Sequence, residues 1–577
     1  MHSGRAREKK RGRLMAKDQI VECVPNFSEG RDKSVIDAIA RSISSVAGVS
    51  LLDVDPGADT NRTVYTFVGA PQAVADAALA ASKTASTLID MKKHHGAHPR
   101  MGALDVCPFV PVSNMSMDEC VELSKRFGAA LASELGVPVY LYEASASRPE
   151  RRSLADIRSG EYEGLETKLA DPEWKPDFGP ASFVPSWGAT VTGAREFLIA
   201  YNVNLNTKDK KLAGEIALTI REGGRSLKDA AGNIVRDKDG NAVKKPGLLK
   251  EVRAIGWYID SYRLAQVSIN LLNYKVTPLW KVYETVKSEA EKLGLYAVGS
   301  ELVGLIPLDP LLETGRHYLK KAGKSEGASE RELIETAVRS LGLDSVGPFD
   351  PAKKVVEYAA AAALSSGAPK LINMQVDAFA DEVASDSPAP GGGSVAALAG
   401  SLGAALASMA ANLTVGKKGY EKNWETMSAL AVEAQGIKAE LLRAVDTDTD
   451  AFSGLMAAMR MPKSTAEEKS ARAAAIEAGY QHASEVPLET ARTCLRALKL
   501  AHRAAGESNA NSISDAGVGA LMARTGVEGA VLNVLINLGN VQDRAFASRL
   551  KAEAEALLAE AEAEEKAAVG LVRKAIG

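Results

Sequence analysis

Apolar residues recur along this chain in two rhythms. In roughly the first half, short apolar runs alternate with segments of helical spacing. IVECVP (20–25), VSLLDVD (49–55) and RTVYTFVG (62–69) read as strands. KSVIDAIARSISSVAG (33–48) and PQAVADAALAASKTASTLIDM (71–91) read as amphipathic helices. A strand at 103–112, a helix at 117–135 and a strand at 138–143 follow, an order that needs a layered sheet with helices covering it. After FGPASFVPSWGATVTGAR the order is strand 197–205, helix 207–222, strands 251–260 and 264–273, helix 278–294 and strand 301–306. That is the β-α-β-β-α-β succession of a ferredoxin-like layer. Within it, residues 229–247 carry Gly-Asn, Asp-Gly and Pro-Gly breakers and predict an exposed hairpin-like insertion.

From Val376 the rhythm becomes Ala-rich and helical throughout, with segments at 376–386, 394–415, 422–459, 465–503 and 523–573, as in an all-α bundle. The chain therefore reads as multidomain: an α/β half of two mixed-sheet subdomains, the second ferredoxin-like, followed by an all-α helical-bundle domain. The expected division is a disordered basic tail over 1–17, subdomains over 18–194 and 195–350, a linker over 351–374 and the helical domain over 375–577. A length of 577 residues suits such a division.

Composition narrows the function. A net charge of −3 and a pI near 6.3 give no electrostatic case for nucleic acid. Four cysteines, far apart and without CxxC spacing, suit a reduced cytoplasmic protein and not a disulfide or zinc framework. The basic start has no apolar run behind it and is not a secretory signal. Pro388 to Gly416 is uncharged and long enough to span a bilayer, but it is built of Ala, Gly and Ser, which fits a buried helix better and gives no membrane partner.

Histidine is scarce, seven in the chain, yet His94, His95 and His98 fall together in MKKHHGAHPRMGALDVCPFVPV (91–112). Spacings of three and four are those of helical metal ligands. Gly96 and Pro99 interrupt any helix there, and no Cys or carboxylate lies inside the cluster, which argues against a metal. The bland reading is a solvated polar loop. The sharper one is a proton-transfer site on a loop beside an α/β layer. A second pattern lies in LLRAVDTDTDAFSGLMAAM (441–459). On a helix, Leu441, Val445, Phe452, Leu455 and Met459 form one apolar stripe, and Asp448 falls inside it. Burying a carboxylate there without purpose is costly. Asp446 and Asp450 fall on the opposite face as ordinary solvated charge. In PAPGGGS (388–394), glycines before a helix admit a ligand to its N-terminus, with no P-loop pattern. Gly392 and Ser394 are candidate ligand contacts, with Ser394 as helix cap the alternative.

HHGAHPRMGALDVCPFVPV, with VECVPNFSEG, LLDVDPGADTNRTVYTFVG and DFGPASFVPSWGATVTGAR, resembles the glutamate formiminotransferase family. PAPGGGSVAALAGSLGAALASMA and the helical half around it resemble the formiminotetrahydrofolate cyclodeaminases. Together they resemble the fused formiminotransferase-cyclodeaminases over nearly all of residues 18–560. The resemblance implies an enzyme of histidine degradation. It implies transfer of the formimino group from N-formimino-L-glutamate to tetrahydrofolate, giving 5-formiminotetrahydrofolate and L-glutamate. Closure to 5,10-methenyltetrahydrofolate with loss of ammonia would follow. Tetrahydrofolate, with or without a polyglutamate tail, is then a co-substrate, no metal is implied, and the assembly is a homo-oligomer, octameric in mammalian members.

The resemblance also implies residues. The family's catalytic histidine precedes Pro-Arg-Met-Gly and maps to His98; its cyclodeaminase aspartate maps to Asp448. His94 and His95 then tune His98, bind a substrate carboxylate or serve structure. Arg100 pairs either with a substrate carboxylate or with Asp53, Asp55 or Asp105. Asp55 resembles a family active-site acid. The folate-binding segment maps to Gly179, Pro180, Ala181, Ser182, Phe183, Val184, Pro185, Ser186, Trp187 and Gly188, where Phe183 and Trp187 offer flat faces. A second folate contact maps to Gly247, Leu248 and Leu249, with Leu248 in place of a basic residue. The rival expectation is a folate-binding or scaffold protein with one half active; the presence of both His98 and Asp448 argues against it.

Overall fold

The computed structural model describes residues 19–58, 60–96, 99–229, 232–238, 240–260, 262–364 and 371–577; the basic tail and His98 lie outside the described residues. The chain forms two compact units, Met1–Leu311 with Val338–Ser366, and Leu312–Ala337 with Gly367–Gly577.

The first layer of the first unit contains strands β1 (Ile20–Cys23), β2 (Asn26–Phe27), β3 (Val49–Gly57), β4 (Arg62–Gly69), β5 (Leu104–Ser113), β6 (Val139–Glu143) and β7 (Thr190–Ala194). β1 and β2 lie end to end between β4 and β5, and β3 pairs with the far side of β4. Helices α1 (Lys33–Ser44), α2 (Pro71–Leu88) and α3 (Met117–Leu135) contribute to one core with the sheet. Ile39, Ile43, Ala81, Leu123 and Phe127 there meet Val21, Cys23, Phe67 and Phe109. α3 starts on a capping box, Ser116 with Glu119, and stops at Gly136, so its predicted bounds hold. β5, β7 and β6 are parallel, with Val106 opposite Val191. The segments that lead into β5 and β7, residues 99–103 and 179–189, therefore arrive side by side at one sheet end.

The second layer holds β8 (Ile199–Leu205), β9 (Arg225–Ser226), β10 (Lys244–Lys245), β11 (Val252–Ile259), β12 (Leu264–Leu271) and β13 (Ala297–Val303), with helices α4 (Lys210–Ile220) and α5 (Leu279–Lys292). Its four-stranded sheet has the antiparallel order β11-β12-β8-β13, which is ferredoxin-like. β13 lies earlier than the predicted 301–306, because Gly304 turns the chain through a left-handed conformation. The insertion is an antiparallel ribbon: β9 pairs with β10, and Leu227 N–H donates to Val243 O at 2.8 Å. Residues 351–374 differ from a plain linker. They carry the helices Pro351–Lys354 and Val356–Leu364, with Val355, Val356 and Ala360 buried.

The helical unit is built on α6 (Gly392–Asn412), α7 (Trp424–Met459), α8 (Ala466–Glu507), α9 (Ile513–Leu538) and α10 (Arg544–Ile576). The expected single segment 523–573 is two helices. Gly539-Asn540 ends one, and the Asp543 carboxylate caps the next by accepting from the N–H groups of Ala545 and Phe546. Val541 is buried within the break, which is why the apolar rhythm ran on through it. Among the described residues, two helical stretches are long and apolar enough to cross a bilayer, Gly392–Asn412 and Ala510–Leu538, with 67% and 44% of their apolar windows buried. α6 packs against α7, α8 and α9. Residues 312–337 belong to this unit: Asn412 Nδ2 donates to Gly327 O, and Ser428 Oγ accepts from Glu326 N–H.

Candidate active sites

In the first unit the turn before β5 is pinned from several sides. His94 is buried; its Nε2 lies 2.7 Å from Asn61 O, and its Nδ1 lies 3.3 Å from Arg100 Nε. The carbonyl requires a proton on Nε2 and the guanidinium requires a lone pair on Nδ1. His94 is therefore a neutral tautomer with both nitrogens engaged. Burial holds its pKa below the ordinary imidazole value, in keeping with that pairing. Such a ring is a positioning group for Arg100.

Arg100 is paired with acids other than those expected. Its outer edge forms a two-pronged bond with Glu163, Nη1 to Oε2 at 2.9 Å and Nη2 to Oε1 at 2.7 Å, and Glu161 lies at 3.5 Å. Among the described residues, Asp53, Asp55 and Asp105 make no ion pair with it. Asp105 is taken by Arg62 and Arg158. Asp53 and Asp55 stand exposed on β3, an edge strand. His95, Gly96, Arg100, Gly160, Glu161 and Glu163 line an open cavity of about 480 Å³. Nothing local in the sequence ties Glu161 and Glu163 to Arg100. The one signal was a charged Glu-Tyr-Glu flanked by Gly160 and Gly164.

The segment 179–188 is tied by its hydrogen bonds to the chain on either side of this turn and to the loop that carries Glu161 and Glu163. Ser186 O accepts from Met91 N–H, Trp187 O from Ala103 N–H, and Pro185 O from the Tyr162 hydroxyl at 2.6 Å. Its two aromatic residues diverge. Trp187 is 2% exposed, its Nε1 donates to Thr190 Oγ1, and its ring belongs to the core; it offers no free face for a pterin. Phe183 is half-buried beside the Tyr162 ring, centroids 5.4 Å apart, and is the available platform. Gly247–Leu249 lies against the end of α4, with Leu248 and Leu249 N–H bonded to Thr219 O and Ile220 O. Leu249 is buried and Leu248 exposed. Next to it, Arg152, Arg221, Arg253, Glu143, Glu222 and Glu251 share the wall of a cavity of about 570 Å³.

In the helical unit the Asp448 carboxyl sits on the first turn of α6. A Cβ at Gly393 would stand 2.1 Å from Asp448 Oδ1, so only glycine admits the carboxyl there. Gly391 is the helix N-cap, and Ser394 lies inside the first turn. Ser394 is wholly buried; its hydroxyl donates to Val445 O at 2.8 Å and lies 3.4 Å from Asp448 Oδ2, tying α6 to α7. It is thus a joint between helices and not the cap. Gly392 is exposed beside Asn533 of α9. Burial pushes the Asp448 carboxyl above the usual carboxylate range, against the opposing pull of the Ser394 N–H and hydroxyl. Asp450 is exposed, but Asp446 is half-buried and accepts from Leu371 N–H at 2.8 Å. Asp446 is a tether and not plain solvated charge. Among the described residues no three His, Cys, Asp or Glu side chains gather as a metal site.

Two outcomes follow for the helical unit. Gly393→Ala should displace the Asp448 carboxyl and abolish the reaction it serves, while circular dichroism and reactions of the other unit stay near wild type; full retention would remove the close approach from the account. A carboxyl whose folded pKa is raised stabilises the fold fully only below its unfolded pKa, and that contribution is lost as pH rises through the folded value. Asp448→Asn should therefore be more stable than wild type at neutral pH, with a gap in urea midpoint that closes towards pH ~4. A wild type more stable at neutral pH would show the carboxylate favoured as an ion.

The chain matches the family profile described as "Formiminotransferase domain, N-terminal subdomain" over residues 20–195, "Formiminotransferase domain" over 200–361 and "Formiminotransferase-cyclodeaminase" over 375–556. It is 48% identical over 552 residues to the formimidoyltransferase-cyclodeaminase of Rattus norvegicus, covering 96% of this chain and 98% of that protein. Against that of Dictyostelium discoideum the figures are 45% over 549 residues, 94% and 97%. A stretch of 189 residues is 43% identical to the methenyltetrahydrofolate cyclohydrolase of Methylorubrum extorquens, covering 33% of this chain and 91% of that protein. With all three profiles matched in order and nearly the full length shared, the chain belongs to the formimidoyltransferase-cyclodeaminase family.

Proposed function

We propose that the pocket around Arg100 performs formimino transfer and that Asp448 serves the cyclodeamination. The chain is a bifunctional folate enzyme, a glutamate formimidoyltransferase joined to a formimidoyltetrahydrofolate cyclodeaminase. It moves the formimino group of N-formimino-L-glutamate to tetrahydrofolate, then closes the product to 5,10-methenyltetrahydrofolate and releases ammonia. The pathway served is histidine degradation.

In the first step a folate nitrogen attacks the amidine carbon and the glutamate amine leaves. His98 takes the proton from the attacking nitrogen and returns it to the departing amine, a role that rests on its place before Pro-Arg-Met-Gly. Arg100, a forked cation at the cavity wall, receives a substrate carboxylate, and Phe183 offers the folate a ring face. In the second step the other folate nitrogen attacks the same carbon, the carbon–nitrogen bond to the imino group breaks, and Asp448 protonates the leaving amine. The observation that carries this reading is the Asp448 carboxyl, driven towards its neutral form beneath the glycine turn of α6.

Finer parts of the reading have their own support. Folate with a polyglutamate tail is included, with Arg152 and Arg253 beside Gly247–Leu249 as the cationic side of a mixed-charge wall. A cytoplasmic setting suits four free, buried cysteines. A homo-oligomer suits the helical unit, where Leu402, Met409 and Leu413 of α6 and its end stay exposed, as do Leu521, Leu532 and Ile536 of α9.

The test measures both products. His98→Ala should abolish glutamate release while supplied 5-formiminotetrahydrofolate is still deaminated. Asp448→Asn should release glutamate, accumulate 5-formiminotetrahydrofolate and lose about 10²–10⁴ in the rate of ammonia release. Asp450→Asn should change little. Loss of both activities in either folded variant contradicts two separate sites, and unchanged ammonia release in Asp448→Asn removes that residue from the mechanism.

A further inference from the structure

Arg100 presents two edges. The inner edge is fixed: Nε lies against His94 Nδ1, and Nη2 donates to His94 O at 3.2 Å. The outer edge forms the two-pronged bond with Glu163. The partners differ in burial, since the Arg100 side chain is 8% exposed and the Glu163 side chain 63%. A buried cation needs a counter-charge at all times, whereas an exposed carboxylate can leave for water at small cost. The exchangeable half of this pair is therefore Glu163.

Its loop is built to bring it there. Arg158, held by Asp105, fixes the chain just before Gly160, which has φ +90°, and Gly164 N–H closes back on Gly160 O. Glu161 adopts φ +53°, an uncommon left-handed conformation for a side chain of its kind. Tyr162 anchors the middle of the loop to Pro185 O and the Phe183 ring, while Glu161 and Glu163 on either side of it face Arg100.

We propose that Glu163 competes with the carboxylate of formiminoglutamate for the outer edge of Arg100, so that the 160–164 loop sets affinity for the glutamate side of the substrate. The inference rests on the transferase reading of this pocket and deepens it. The substrate carries two carboxylates, and a cavity already holding Glu161 and Glu163 repels it until one of those gives up its cation. Exchange of one carboxylate for another keeps Arg100 paired throughout and needs no net change of charge at the guanidinium. Glu163 is a specificity-determining residue here, not a catalytic one.

Glu163→Gln in the full chain keeps the shape of the side chain and removes its charge. Initial rates of glutamate release at saturating tetrahydrofolate should then show a KM for formiminoglutamate lower by roughly two- to fivefold, the scale of one partly exposed ion pair. The change should fall in KM and not in kcat, and the KM for tetrahydrofolate should stay put. Glu161→Gln, at the longer distance, should lower KM less. A KM that rises, or stays unchanged, in a Glu163→Gln protein with a wild-type urea midpoint overturns the competition and leaves the pair a structural brace. Calorimetric titration with L-glutamate reads the same exchange without turnover. If wild type transfers no formimino group, the transferase reading fails; if it transfers but L-glutamate binds both proteins equally, the competition alone fails.

Discussion

Asp105 is wholly buried, and its carboxylate accepts from Met101 N–H at 2.9 Å, from Arg158 Nη2, and pairs at 3.7 Å with Arg62. Burial makes these contacts obligatory: a carboxylate without them is costly in the sheet interior, and so are two guanidinium groups without it. Both walls of the Arg100 pocket depend on this one group. Met101 follows Arg100, and Arg158 opens the loop that carries Glu161 and Glu163. Position then passes outward through bonds with definite direction, from Asp105 to the turn at Arg100, and from Arg100 to the His94 ring on one edge and Glu163 on the other. The parallel pairing of β5 with β7 brings 179–188 to the same sheet end as the Arg100 turn.

The helical unit solves the opposite electrostatic problem. Asp105 has two cations, whereas Asp448 meets hydrogen-bond donors and no cation among the described residues. Its charge is therefore disfavoured by burial, and the group is poised to carry a proton. The geometry rests on small residues. α6 is so rich in Gly, Ala and Ser that it can sit within reach of three other helices, and Gly393 leaves room for one carboxyl at its first turn. One chain thus holds one carboxylate as a structural anion and another as a candidate acid, and environment alone separates them.

Much of this was legible along the chain. The helix at 117–135 was placed correctly, the ferredoxin-like order was readable from alternating strand and helix signals, and the helical phase of 441–459 put Asp448 on the stripe of Leu441 and Val445, where it stands half-buried. What stayed hidden was long-range or shared. Glu161 and Glu163 lie about sixty positions from Arg100, and no local pattern records a partner at that distance. Trp187 offers a ring to the eye, but Thr190 and the sheet core claim it. Asp446 looked solvated because Leu371 N–H comes from another segment. The break before α10 was masked by Val541, whose burial continues the apolar rhythm after the backbone has stopped being helical.

The central claim is that two reactions run in sequence on one carbon atom. The most direct measurement supplies formiminoglutamate labelled with ¹⁵N at the imino nitrogen, together with tetrahydrofolate, and follows the label by NMR. The glutamate nitrogen should leave in the first step and the imino nitrogen in the second. The account predicts unlabelled glutamate, labelled ammonia and methenyltetrahydrofolate in equal amounts, with labelled 5-formiminotetrahydrofolate rising and then falling. Label that remains on the folate, or ammonia released without glutamate, would contradict it.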